Sequence, residues 1–187
     1  MDSDALARAA RSGDEEAFVA LLSAQKEKLY RMAYAYLRNE DDAVEAVQET
    51  AYRAWKSIGR LRDEKLFDTW IVRILLNCCR DEWRRRKKAG PASAEREPAA
   101  DAAAARGGGD TAGASPEGGW ALRVHISEAM RRLEPKYRQI ILLKYFEDMT
   151  LTEIAAVLGR PPGTVKTRLH QALQKLRALI AEEEGTE

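Results

Sequence analysis

Three clusters of side chains in this sequence have the types and spacing to do chemistry, and that chemistry is recognition rather than catalysis. The first is a row of polar groups early in the last amphipathic stretch: Lys166, Thr167, Arg168, His170, Gln171 and Gln174. At about 100° per residue, Val165, Leu169, Ala172 and Leu176 form a narrow apolar stripe. Thr167, His170 and Gln174 lie opposite it, flanked by Lys166 and Gln171. Glutamine can pair in a bidentate way with adenine, and lysine with guanine. Arg168, at the edge of the stripe, suits a backbone phosphate. The second cluster is basic and aromatic: Asn77, Arg80, Trp83 and the run Arg84, Arg85, Arg86, Lys87, Lys88, with Trp70 upstream. Aromatic, amide and guanidinium groups stack on and bond to unpaired bases. A basic helix end also complements the helix dipole, so this run alone leaves both readings open.

The third cluster is acidic: Asp42, Glu45 and Glu49, with Gln48 among them. It sits in a block, 14–49, that holds nine acids and four bases, whereas 50–88 holds twelve bases and five acids. A chain of net charge +1 that segregates its charges this way can hold two different partners, the basic part suiting a polyanion such as DNA. Ordinary solvated helix surface is the alternative on charge alone.

Catalytic and metal chemistry find no footing. His125 and His170 with the adjacent Cys78 and Cys79 give no zinc spacing. Neighbouring cysteines rarely meet disulfide geometry, and in an apolar-periodic stretch they read as reduced packing residues. No Gly-rich phosphate loop or nucleophile motif occurs. The paired acids Glu15/Glu16 and Asp41/Asp42 point in different directions on helices and suit helix N-termini. An enzyme, a metal site and a cofactor are therefore not expected. Apolar runs fall short of the ~18 residues of a spanning helix, and the acidic start, Asp2 and Asp4, is unlike a signal peptide. The expectation is a cytoplasmic chain with no membrane insertion of its own.

The elements that must position these clusters are all helical. Apolar residues make up 45% of 187 residues, enough for a core. Helical spacing links Ala17, Phe18, Leu21 and Leu22, in a helix starting near Asp14. It also links Leu29, Met32, Ala33, Tyr36 and Leu37; then Ala43, Val47, Thr50, Ala51, Ala54 and Ile58; then Phe67, Trp70, Ile71, Ile74, Leu75 and Cys78. Residues 89–119 hold 11 Ala, 7 Gly and 3 Pro and no large apolar residue, which predicts a flexible linker. Its coil span is roughly 30 Å and its extended reach roughly 100 Å, against about 34 Å for one duplex turn. Beyond it, Pro135 opens a helix with Ile140, Ile141, Leu143 and Tyr145. Thr150 and Glu153 then form a capping-box pattern. A short helix with Ile154, Ala155 and Leu158 ends at Gly159, and Pro161, Pro162 and Gly163 lead into the last helix. Capped short helix, turn and polar-faced second helix make a helix-turn-helix. The reading is all-α, with two small helical domains, 1–88 and 120–187, joined by the linker 89–119.

At this point the sequence resembles a family. Residues 42–55, carrying Asp42, Glu45, Gln48, Glu49, Arg53 and Trp55, resemble the core-polymerase-binding helix of extracytoplasmic-function sigma factors. Residues 67–77, with Phe67, Trp70, Arg73 and Asn77, and the basic run after them, resemble that family's promoter-melting segment. Leu133 to Arg138, then Glu153 to Ala156, then Gly163 to Leu169, resemble its fourth region. The resemblance implies that the acidic helix docks on core RNA polymerase, its beta and beta-prime subunits. It implies that the 59–65 loop, with Arg60 and Arg62, and Trp70, Asn77, Arg80, Trp83, Arg84, Arg85 and Lys87 hold the melted −10 element. Thr164, Lys166, Thr167, Arg168, His170, Gln171 and Gln174 would read the −35 element of promoter DNA. An anti-sigma factor is the implied regulatory partner. Val44 stands where the family often has an acid, and Gln171 where a base is common. A stand-alone helix-turn-helix regulator is the rival reading, and the acidic helix at 42–55 argues against it.

Overall fold

In the computed structural model, residues 3–89, 126 and 128–184 are described. Residues 90–119, nearly all of the expected linker, lie outside them. Every regular element among the described residues is helical: α1 (Ser3–Arg11), α2 (Glu15–Leu37), α3 (Glu40–Ser57), α4 (Phe67–Ala89), α5 (Pro135–Ile141), α6 (Leu151–Leu158) and α7 (Pro162–Glu184).

The boundaries have local causes. Asp14 caps α2 by accepting from the Ala17 N–H at 3.0 Å, and Asn39 caps α3 by accepting from the Asp42 N–H at 2.9 Å. Between them Arg38 takes a left-handed conformation, φ 53°, and its N–H closes α2 on Tyr34 O. Three acids, Glu40, Asp41 and Asp42, crowd the first turn of α3, where the helix dipole favours them. α1, which the apolar spacing does not announce, buries Ala7 and Ala10 against α2. Its Arg11 guanidinium pairs with Glu64, in the turn before α4.

α2, α3 and α4 pack side by side with α1 across one end. Phe67, Ile71, Leu75 and Cys78 of the expected α4 stripe are buried, but so are Val72, Leu76 and Cys79. The apolar face is wider than one stripe because α4 meets α3 and α2 on one side and α6 on the other. Both cysteines are free, 3% and 0% exposed, and desolvation pushes both thiols above the ordinary range. Since the thiolate is the reactive form, both should alkylate at least roughly tenfold more slowly in the native protein than in denaturant. Iodoacetamide labelling followed by mass spectrometry measures this. Rapid native labelling of either would show that α4 is not buried as described.

In the second lobe the helix from Pro135 was expected to run through Tyr145. It instead widens at Leu142–Phe146 into a π-type turn, with the Glu147 N–H reaching back to Leu142 O. Ile140, Ile141, Leu142 and Leu143 are all buried, and four consecutive residues cannot share one face of a regular α-helix. They are buried because the helix is enclosed on all sides, as Tyr137, Arg138 and Gln139 before them also show, and the wider turn ends the enclosed stretch, leaving Tyr145 and Phe146 exposed.

The two lobes touch. α4 packs on α6, α2 meets the π-type turn, and one continuous set of buried side chains runs through both lobes. Lys28 pairs with Glu147 at 2.6 Å. Arg138, 1% exposed, sends Nη1 to the Tyr36 carbonyl at the end of α2, 2.5 Å away. Its Nη2 donates to the carbonyls of Arg131 and Leu133.

Candidate polymerase and nucleic-acid interfaces

The helix-turn-helix is built as its residues dictate. The Thr150 hydroxyl accepts from the Glu153 N–H, and the Glu153 carboxylate accepts from the Thr150 N–H at 2.8 Å, a complete capping box. Those hydrogen bonds from Thr150 hold the Glu153 carboxyl below its usual range. Gly159 ends α6 at φ 59°, a conformation that favours glycine. α7 then starts at Pro162 and packs on α5 and α6.

On α7 the apolar stripe turns inward: Val165 and Ala172 are 0% exposed, and Leu169 and Leu176 pack on the core. Lys166, Thr167, His170, Gln171 and Gln174 are exposed, and Thr164 and Arg168 are half-buried. Thr167 Oγ1 donates to Gly163 O at 3.1 Å, so its hydroxyl is partly engaged by its own helix. Gln171 Oε1 accepts from the Tyr137 hydroxyl at 3.4 Å. That contact leaves the Gln171 amide N–H groups outward as donors. The side chains of Lys166, His170 and Gln174 form no hydrogen bond or ion pair among the described residues.

The first lobe presents its acids and bases side by side. On α3, Asp42, Glu45 and Glu49 share one face. Each faces a cation: Arg86 Nη1 is 3.1 Å from Asp42, and Arg85 Nη2 is 2.7 Å from Glu45. Arg53 bridges Glu49 at 2.6 Å and Asp81 at 3.1 Å. Arg85 also holds Glu82 at 2.8 Å. The acidic and basic clusters, separate in the sequence, thus form one ladder of ion pairs along the α3–α4 seam. Sequence reasoning missed this pairing, because the partners lie 40 and 44 residues apart. The remaining α3 residues behave differently. Gln48 is exposed, and Trp55 is 38% exposed, its ring lying tilted against Phe18 with centroids 5.0 Å apart.

The basic end of α4 divides in two. Arg85 and Arg86 turn to α3, whereas Arg84 and Lys87 are exposed, with Lys87 Nζ 5.2 Å from the Trp83 ring centre. Asn77 accepts from Arg80 Nη2 at 3.0 Å. Trp70 packs on Phe67 at 5.9 Å and is half-buried, so much of its ring is structural. Arg60 and Arg62 are exposed in the loop before α4. The predicted residues Asn77, Arg80, Trp83 and Arg84 line one cleft together with Arg168 of α7. No group of His, Cys, Asp or Glu able to hold a metal occurs among the described residues, and no described helix is long and apolar enough to cross a membrane.

Comparison with known proteins matches both lobes. Residues 21–89 match the family described as Sigma-70 region 2, and residues 123–176 match Sigma-70, region 4. RNA polymerase sigma factor SigV of Bacillus subtilis (strain 168) is 31% identical over 166 residues, covering 89% of this chain and 92% of that protein. ECF RNA polymerase sigma factor SigW of the same organism is 33% identical over 171 residues, covering 89% and 90%. The solved structure of CnrH in complex with the cytosolic domain of CnrY aligns with a TM-score of 0.68 at 27% identity, over 96% of this chain and 97% of that one.

Proposed function

From the premise that this chain belongs to the extracytoplasmic-function sigma-70 RNA polymerase sigma factors, we propose the division of labour among its residues. As a sigma factor it directs RNA polymerase in promoter recognition and is not itself an enzyme. Residues 1–88 act as the polymerase- and −10-binding domain, 89–119 as the tether, and 120–187 as the −35-binding domain. The chain works in the cytoplasm, where its polymerase is.

The observation that carries this reading is the α3–α4 seam, an acidic face and a basic face on adjacent helices of one lobe. Asp42, Glu45, Gln48 and Glu49, with Arg53 and Trp55 at the far end, meet the clamp of core polymerase. Arg60, Arg62, Asn77, Arg80, Trp83, Arg84 and Lys87 hold the melted −10 strand, and Arg85 joins them. Trp70 contributes mainly by placing α4. In the other lobe Lys166, His170, Gln171 and Gln174 reach base edges of the −35 element, while Thr164, Thr167 and Arg168 meet its backbone. CnrH has been solved with the cytosolic domain of CnrY bound. By likeness, an anti-sigma factor is the expected restraint on this chain.

Run-off transcription tests the reading. Core polymerase with this chain and fragmented host DNA should yield transcript starts that share a two-part upstream motif and vanish without the chain. Failure to bind core polymerase would end it. Lys166→Ala and Gln171→Ala should each cost about 1–3 kcal/mol in discrimination at the upstream element, with −10 melting intact on duplex promoter DNA at saturating polymerase. Permanganate footprinting checks this, and lost melting in either variant would refute the assignment of α7. Arg84→Ala should lower the salt slope of single-strand binding by about 0.7. A slope unchanged from the native chain would remove Arg84 from the phosphate contacts.

A further inference from the structure

The cleft between the lobes has a volume of about 600 Å³, within the usual ~300–1,000 Å³ of small-molecule sites. Its walls carry Arg73, Arg80 and Arg84 of α4 and Lys136, Arg160 and Arg168 of the second lobe. Arg73 reaches across: its Nη2 is 3.6 Å from where a Cβ on Gly159 would stand. The one acid in the lining, Glu134, is already committed. Its carboxylate is 2.7 Å from Lys136 Nζ and 3.0 Å from Lys175 Nζ. The guanidinium groups of Arg73, Arg84, Arg160 and Arg168 have no acidic or hydrogen-bonding partner among the described residues. Arg80 Nε is buried with no acceptor. Two apolar-packed lobes thus bring guanidinium groups together across a gap that holds no free negative charge. Like charges so placed repel, and polar groups taken from water call for partners.

We propose that this cleft is a binding site for a compact anion bearing several phosphates, such as a nucleoside polyphosphate or a short inorganic polyphosphate. Guanidinium groups from both walls match phosphate oxygens in bidentate fashion, and Trp83, on the same wall, offers a ring on which a base can stack. An occupant would bridge α4 to the α6–α7 turn and hold the lobes together. Because Asn77, Arg80, Trp83 and Arg84 also line the cleft, it would compete with single-stranded DNA, a consequence that rests on the sigma reading. The binding itself does not.

Isothermal titration of the full chain at 150 mM salt with tripolyphosphate, ATP and AMP tests the site. ATP and tripolyphosphate should bind, and AMP at least tenfold more weakly. Arg73→Ala and Arg160→Ala, one from each wall and both at exposed residues, should each lower the affinity about tenfold. Lys26→Ala, an exposed cation away from the cleft, should leave it unchanged. A nucleotide source is indicated if ATP binds more tightly than tripolyphosphate and Trp83→Leu erases the difference; equal affinities indicate an inorganic chain. Absence of binding, or equal losses in Arg73→Ala and Lys26→Ala, would overturn the proposal. Core-polymerase titration of the same proteins reads the sigma assignment separately, since a chain that fails to bind polymerase can still bind the anion.

Discussion

Charge reversal of Glu45 and Glu49 to Lys together should weaken binding to core polymerase at least tenfold, about 1.4 kcal/mol or more, while the first lobe stays folded. The two carboxylates are half exposed on α3, and each is held by a cation of the same lobe, Glu45 by Arg85 and Glu49 by Arg53. Exposed pairs of this kind contribute about 0–1 kcal/mol each, so losing them does not unfold a lobe cored by Phe67, Ile71, Leu75 and Met32. Against a cationic docking surface, reversal replaces attraction with repulsion. Fluorescence titration of labelled chain with core polymerase, alongside a circular dichroism melt, measures both quantities. Unchanged affinity would remove α3 from the docking surface. The ladder adds a sharper arm: combining Glu45→Lys with Arg85→Glu restores a local pair of opposite polarity. If Glu45 contacts polymerase directly, the double variant stays weak. Recovery of binding would mean that Glu45 acts only through the ion pair that holds α3 against α4.

That ladder also marks where the sequence stops being legible. Helices α2, α3, α4 and α7 follow from apolar spacing, and the helix-turn-helix from Thr150, Glu153 and Gly159, because these signals act within a few residues. The outward face of α7 was legible for the same reason, since a helical wheel places Lys166, His170 and Gln174 opposite Val165 and Ala172. α1 was not legible: its buried residues are Ala7 and Ala10, too small to stand out as a stripe, and its docking draws on Arg11 meeting Glu64 53 positions away. The π-type turn was missed because an apolar run at 140–143 reads as an ordinary buried helix segment. Among the site residues, Arg85 and Arg86 read as free cations, yet α3 acids about 40 positions upstream hold them. Trp70 read as a stacking surface, and the side chain is half taken up by Phe67. Side-by-side helix packing decides such pairings, and no local pattern encodes it.

Closure of the lobes is the feature furthest from sequence, and Arg138 is the residue on which it can be tested. Its guanidinium is 1% exposed and meets three carbonyl oxygens, those of Tyr36 in the first lobe and of Arg131 and Leu133 in the second. It lies over the Tyr36 ring at 5.3 Å. Desolvation pulls its pKa below the usual arginine value, so the charge is held by these acceptors and not by water. Arg138→Met keeps the length and apolar stem but strands the carbonyls. Hydrogen bonds to a charged group contribute about 1.5–3 kcal/mol each, partly shared here, so a loss of about 3–5 kcal/mol is expected. At about 2–4 °C per kcal/mol for a chain of this size, the melting temperature of the protein should fall by about 10 °C. The Tyr36 bond crosses between lobes whereas the other two stay within one, so the same variant should also raise the radius of gyration below the melt, seen by small-angle scattering. Arg138→Lys keeps the charge but lacks the fork that reaches both Tyr36 and Arg131, and should recover less than half of the stability. A melting temperature within about 2 °C of the native protein's, less than 1 kcal/mol by the same conversion, with an unchanged radius, would show that apolar packing of α4 on α6 holds the lobes together unaided. A lower melting temperature with an unchanged radius would confine Arg138 to the second lobe, and only both changes together make it the fastener between the two.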